Sequence, residues 1–211
     1  MSDEEVLFQV LDSHLDTGMR GIPVGTCKTS FVDPVDGVHY AGYPIADLSN
    51  IDPEDAAFLL FNKNMPNENE SRMWRENLLK CSEIPSGSLD IFGSIGAGQG
   101  HPMDWLSMGI MSLDRAEKEN DIFSDALNLI AWMPELMARL FMFRGGRGNL
   151  ANPSNPSLGM VGNFVSMLGM KGDEAIRAER ILRSFLVLHM DHGGGNLSTF
   201  AGKAVASGRS S

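Results

Sequence analysis

The stretch Ile181-Leu182-Arg183-Ser184-Phe185-Leu186-Val187-Leu188-His189-Met190-Asp191-His192-Gly193-Gly194-Gly195-Asn196-Leu197-Ser198-Thr199-Phe200 is one helix ending and another beginning. The first helix is predicted to start at Asp173 and run to Met190. Ile176, Ile181, Leu182, Phe185, Leu186 and Leu188 read as its inward face, with Arg177, Arg180 and Arg183 as a solvated one. Two histidines and an aspartate stand where it stops. A helix C-terminus carries partial negative charge and favours a hydrogen-bond-donating histidine. Three glycines then break the helix and allow close backbone approach to a ligand. Asn196 is placed to cap the next helix, whose first N–H groups can face an anion. His192 is the candidate site residue, and His189 reads as a buried helix histidine. The His-x-x-His spacing with Asp191 between also suits zinc. Cys27 and Cys81 are remote in sequence and no other ligand cluster is visible, so no metal is expected.

Upstream, helical patterns dominate. Asp52-Pro53-Glu54-Asp55 is a strong start signal: an N-cap aspartate, proline at the first position and acids in the first turn. Ala56 to Phe61 supply a buried face, and Met65-Pro66 breaks the run. Asn69 to Cys81 is predicted as a polar helix with Met73, Trp74, Leu78 and Leu79 inward. A short helix is expected over 86–95, and the glycine-rich run to Gly100 reads as a turn, since no Lys-Ser/Thr follows it. His101-Pro102-Met103-Asp104 opens a helix to 114 that is apolar nearly all round and calls for cover on several sides. Its Gly109 allows another helix close. Residues 121–143 form the longest run, with Glu135 and Arg139 in the favourable i, i+4 order. Residues 144–157 are a loop, and Asn163 to Gly169 and Phe200 to Ala206 add further helix.

Near the N-terminus the pattern differs. Val6, Leu7, Val10 and Leu11 predict a short amphipathic helix over 3–15, ended by Gly18. Over 22–45, Ile22, Val24, Phe31, Val32, Val38 and Tyr40 are strand formers, and Asp33-Pro34-Val35-Asp36-Gly37 is a turn, which predicts a small β-hairpin.

Composition narrows the function. The 211 residues suffice for one domain with a real core, and 43% hydrophobic with 21% charged residues is globular. A net charge of −10 argues against a polyanion-binding surface, so no nucleic acid is expected. Two cysteines give no disulfide framework and suit a reducing, cytoplasmic setting. Asp125, Asn128, Glu135 and Arg139 interrupt the longest apolar run, so no membrane span is expected.

These motifs together resemble those of citrate synthases. His189 to Asn196 matches the HxDHxxxN signature, with Gly193 where the family often has Glu. Gly18-Met19-Arg20-Gly21 and Val38-His39-Tyr40-Ala41-Gly42-Tyr43-Pro44-Ile45 resemble the "GxRG … YxGYxI" elements. His101-Pro102-Met103 matches a recurrent helix start, Leu129 to Pro134 resembles "LIAKLP", and Asn163 to Leu168 resembles "NFxxML". The resemblance implies an all-α, multi-helical large-domain fold of citrate synthase type with a small N-terminal β-hairpin. Residues 1–211 would be the N-terminal part of that large domain, with the hairpin at 22–45 and helices over 52–206, and without the small domain and the C-terminal helices.

It also implies an acyltransferase chemistry that condenses acetyl-CoA with oxaloacetate to citrate, or forms 2-methylcitrate. The His192 position donates a hydrogen bond to oxaloacetate, with Asn196 beside it in the substrate pocket. Arg20 matches an arginine that contacts a phosphate of coenzyme A; as a residue it reads equally as a solvated turn arginine. No tightly bound cofactor is implied, acetyl-CoA being a cosubstrate. The family dimerises through helices matching 101–114 and 121–143. Its catalytic base and the histidine of the "GPLHG" element follow the HxDH motif, whereas positions 193 to 211 hold no His or Asp. The resemblance therefore implies a fragment inactive alone, completed by a C-terminal-half polypeptide. The alternative is a non-catalytic dimeric helical module.

Overall fold

The Asp33 carboxylate builds the first turn. It accepts the N–H groups of Val35 and Asp36 at 2.7 and 2.8 Å, and these two bonds hold its carboxyl below the usual range. Strands β1 (Ser30–Asp33) and β2 (Gly37–Tyr40) pair antiparallel across it, from Asp33 opposite Gly37 to Ser30 opposite Tyr40. The chain turns again at Ala41-Gly42, both at positive φ, and β3 (Tyr43–Pro44) adds a third antiparallel strand beside β2. The predicted hairpin is thus a three-stranded sheet; β3 is too short to carry a period of its own.

The computed structural model describes residues 6, 8–15, 26–94, 100–113, 122–147, 151–193 and 197–208. The helix predicted over 3–15 falls partly outside them. Within them only a 3-10 turn, Asp12–His14, forms. Val6, Val10, Leu11 and Leu15 are exposed, and a short helix with nothing to bury against is marginal in water.

The helices are α1 (Ile45–Leu48), α2 (Pro53–Asn62), α3 (Glu68–Lys80), α4 (Ile91–Ser94), α5 (Pro102–Leu113), α6 (Ile122–Arg144), α7 (Gly159–Met167), α8 (Gly172–Leu188) and α9 (Leu197–Ser207). The fold is all-α with a small sheet at its N-terminal end. Asn67 caps α3 by accepting from Glu70 N–H, and the Glu70 carboxylate returns the bond to Asn67 N–H. Asp52 stands at the N-cap of α2 as predicted but makes no side-chain cap. Its carboxylate is engaged by Arg75 at 2.8 Å and by Arg183. Arg183 is therefore a half-buried link between α8 and α2, not part of a solvated face.

Phe92, Trp105, Leu113, Trp132, Leu136 and Leu140 form one core cluster, where α5 meets α6. A Cβ on Gly109 would lie 2.7 Å from Leu136 and 2.8 Å from Phe92, so this glycine sets how closely the two helices approach. They run antiparallel: Arg144, at the end of α6, lies over the Trp105 ring and donates to Gly100 O, before the start of α5. By length and composition α6 could cross a membrane. In the fold its Leu127, Trp132, Leu136, Ala138, Leu140 and Met142 are buried, and Glu135 pairs with Arg139 at 2.6 Å. It is packed as a core helix.

Several predicted inward residues point outward. Met73 and Leu79 of α3 are exposed, leaving Trp74 and Leu78 buried. On α8, Ile176, Ile181, Phe185, Leu186 and Leu188 are all exposed and Val187 is the buried residue. On α5, apolar nearly all round, Met103 and Met111 lie on a side that no described element covers. Periodicity tells which residues share a face, not whether another element covers it.

Candidate functional site

Helix α8 ends on a buried tyrosine. Tyr40, fully buried at the end of β2, donates its hydroxyl to Val187 O at 2.8 Å and accepts from Asp191 N–H at 3.2 Å. One hydroxyl thus satisfies a carbonyl of the last helical turn and an N–H beyond it, two groups that a helix end leaves open. Burial pushes the Tyr40 phenol up; the backbone N–H groups of Asp191 and Met190 offset part of that, and the Asp191 charge adds to it. The hydroxyl therefore stays protonated, as its donor role requires.

The loop then turns on itself. Asp191 Oδ1 accepts from Gly193 N–H at 2.8 Å. Gly193 is buried at φ +45°, and a Cβ there would come within 2.2 Å of Ser30 Oγ and 2.3 Å of Cys27 Sγ. That lack of room is a physical reason for glycine where the family pattern often has Glu. His192, between them, is exposed and makes no hydrogen bond to another described residue. His189 is exposed rather than buried: it closes the helix, with Nδ1 2.9 Å from Phe185 O and its ring stacked on Phe185 at 4.2 Å. A helix partner on its own element, in place of a core, satisfies it. Among the described residues no three His, Cys, Asp or Glu side chains gather to hold a metal, so the zinc alternative has no third protein ligand there. Asn196 and Arg20 lie outside the described residues.

Beneath the loop, Cys27 Sγ lies 3.3 Å from Thr29 Oγ1. The Thr29 hydroxyl and the backbone N–H groups of Ser30 and Thr29 hold its thiol below the usual value, against desolvation and the Asp191 charge. Ser30 Oγ is buried with no hydrogen-bond partner among the described residues, which costs about 1–3 kcal/mol. Lys203 of α9 donates to Thr26 O at 2.7 Å, tying the following helix to the same segment.

A cleft of about 610 Å³ opens elsewhere, between α3, α6, α7 and α8. Its three arginines are all spent on carboxylates: Arg72 on Glu76, Arg75 on Asp52 and Asp55, Arg183 on Asp52 and Glu179. Glu54, almost fully buried at its wall, accepts Met160 N–H at 2.7 Å in the first turn of α7. Each of these arginines already has a carboxylate partner.

Residues 18–211 match the family described as "Citrate synthase, C-terminal domain". The chain belongs to the citrate synthase family. It is 27% identical to "2-methylcitrate synthase, mitochondrial" of Aspergillus fumigatus, over 97% of this chain and 49% of that protein. The protein of the same name from Gibberella moniliformis is 28% identical, over 96% of this chain and 48% of its own length. The "Citrate synthase, peroxisomal" of Saccharomyces cerevisiae is 27% identical, over 97% and 49%. The fold is shared with the crystal structure of citrate synthase from Thermotoga maritima MSB8, at a TM-score of 0.77 and 22% identity over 92% of this chain and 51% of that one. The chain thus spans about half the length of the relatives it matches.

Membership gives the motifs a structural meaning that sequence reasoning missed. Tyr40, in the YxGYxI-like element, braces the HxDH-like loop at Asp191, 151 positions away. Asn163, of the NFxxML-like helix, is buried and holds the preceding loop: Oδ1 accepts Asn155 N–H at 2.8 Å and Nδ2 donates to Ser154 Oγ at 3.1 Å. The available signal was a polar residue, tyrosine hydroxyl or asparagine amide, in a run otherwise destined for burial.

Proposed function

We propose that this chain carries the His192-bearing half of the substrate pocket of a citrate synthase-type acyltransferase, and that it is inactive alone. The observation supporting this most directly is the exposed His192, set between Asp191 and Gly193 on a loop whose backbone Tyr40 braces. In this reading His192 donates a hydrogen bond to the carbonyl of oxaloacetate, preorganised against the charge that develops as the acyl carbanion attacks. Asn196 serves the same substrate pocket, and Arg20 takes a phosphate of the CoA cosubstrate. The base that removes a proton from the acyl methyl and the arginines that hold the carboxylates belong to the half of the family's length that these residues do not span. Closure around the substrates, which excludes water, needs that half too.

Two further elements belong to the proposal. A homodimer forms through 101–114 and 121–143, where Met103, Met111, Ile122, Phe123 and Phe141 are exposed. The chain works in the cytoplasm; the compartments in the names of the fungal relatives are said of those proteins. A non-catalytic helical module is the second reading, favoured by the pairing of every arginine in the large cleft.

A thiol-release assay tests the choice. The chain alone, with oxaloacetate and acetyl-CoA, should release no CoA; with a polypeptide bearing the GPLHG-type half it should, and His192→Ala should abolish that release. Propionyl-CoA in place of acetyl-CoA separates methylcitrate from citrate formation. Turnover by the chain alone would refute the fragment reading. A stable homodimer that neither binds oxaloacetate nor responds to the second half would favour the module.

A further inference from the structure

We propose that Cys27 is a peroxide-modified thiol whose added oxygen is received by the Ser30 hydroxyl, and that the modification loosens the Gly193 end of the histidine loop. Two independent features converge. Cys27 is a free, partly exposed thiol. Ser30 is 6% exposed, and its Oγ, beside the Cβ position of Gly193, has no hydrogen-bond partner among the described residues. Both heteroatoms press on one point: the Cβ position of Gly193 is 2.2 Å from Oγ and 2.3 Å from Sγ. They are therefore no further apart than the sum of those two distances. A buried hydroxyl with an open valence beside a thiol is placed to donate to an oxygen carried on that sulfur. The thiolate form is favoured by the Thr29 hydroxyl and the backbone N–H groups of Ser30 and Thr29.

The chemistry needs a hydroperoxide as oxidant. The thiolate sulfur attacks one peroxide oxygen; the S–O bond forms as the O–O bond breaks. Sulfur loses two electrons, and the second oxygen leaves as hydroxide or alkoxide and takes a proton from water. The product is Cys27 sulfenic acid, the first and reversible step of thiol oxidation. The added atom enters a contact that has no room even for a methyl on Gly193. The Gly193 backbone must move, and with it the N–H that Asp191 holds.

The test treats the full reduced chain with hydrogen peroxide in the presence of dimedone, which traps sulfenic acids, and maps the adducts by mass spectrometry. Cys81, also partly exposed, is the internal comparison. Cys27 should be labelled about tenfold faster than Cys81, as expected of a thiol whose neighbours favour the thiolate and whose oxidised form meets a donor in Ser30. Ser30→Ala, which keeps the Ser30 backbone N–H but removes the donor to the added oxygen, should slow Cys27 labelling without changing Cys81. Equal labelling of the two cysteines in the unaltered chain overturns the proposal, as does a Ser30→Ala chain, folded by circular dichroism, that labels like the parent. If that variant does not fold, amide exchange on the parent decides: oxidation should speed exchange at 189–193 and leave α5 and α6 unchanged, and unchanged exchange at 189–193 overturns the proposal. None of these outcomes depends on whether the chain condenses an acyl group.

Discussion

Two helix ends in this molecule are closed by buried side chains from far away in sequence, and they are closed in opposite ways. Helix α7 begins on the carboxylate of Glu54, 106 positions upstream. Helix α8 ends on the hydroxyl of Tyr40, 147 positions upstream. A helix N-terminus presents N–H groups and partial positive charge, so an anion suits it, even a nearly buried one with Arg75 only 3.9 Å away. A C-terminus presents carbonyls and needs a donor. A neutral hydroxyl donates there and still has a lone pair for the N–H of Asp191. The charged closure serves a helix start and nothing beyond it. The neutral one also shapes the chain that follows, and that chain holds His192.

The charged end is the place to expect the larger loss. Glu54→Ala strips Met160 N–H of its acceptor and the helix start of its anion, and should cost about 3 kcal/mol in urea unfolding. Glu54→Gln keeps an acceptor and should cost about 1 kcal/mol. If the two variants lose equally, the anion matters and the hydrogen bond does not. Tyr40→Phe removes only an oxygen, but leaves Val187 O and Asp191 N–H unmet, so about 2 kcal/mol is expected. Unlike Glu54→Ala it should also raise amide exchange at 190–193; equal exchange in both variants would erase the contrast between the two ends.

A third measurement uses pH. The Tyr40 phenol is raised in the fold, so as pH climbs past the ordinary tyrosine value of about 10 the unfolded chain ionises first. Its contribution is unchanged below that value and is lost as pH rises towards the raised one. Stability of the parent should fall over that window, and Tyr40→Phe should fall less steeply; parallel curves would mean that Tyr40 is not the titrating group. The smallest effect is expected at the site itself. His192 is exposed and unbonded among the described residues, so His192→Ala should leave the unfolding midpoint within about 0.5 kcal/mol of the parent.

What the sequence made legible follows the same division. Local signals succeeded: the Asp33 to Gly37 turn, Pro53 after Asp52, Pro102 after His101, and the end of α8 before His189 all stand within a residue or two of the expected places. Gly109 was read as a close-approach glycine and sits against Leu136. The failures are non-local. Asp52 has cap chemistry but is drawn to Arg75 and Arg183, partners on other helices. Ile181, Phe185 and Leu188 have the spacing of a core face but no described element covers them. At the site, the histidine motif itself was readable, whereas the buried Tyr40 and Ser30 and the partly exposed Cys27 under it were not. Nothing in a single chain reveals that residues near 30 and near 190 meet.

One tether has a mechanical consequence. The described side chains of α9 are exposed, and Lys203 ties the helix to the backbone of Thr26. Eleven residues are too few to stay helical in water on local terms alone. The helix is thus held in part by a latch that carries one charge: neutralising the Lys203 ammonium by acetylation would weaken its grip on Thr26, and α9 would part more easily from the segment that carries Cys27.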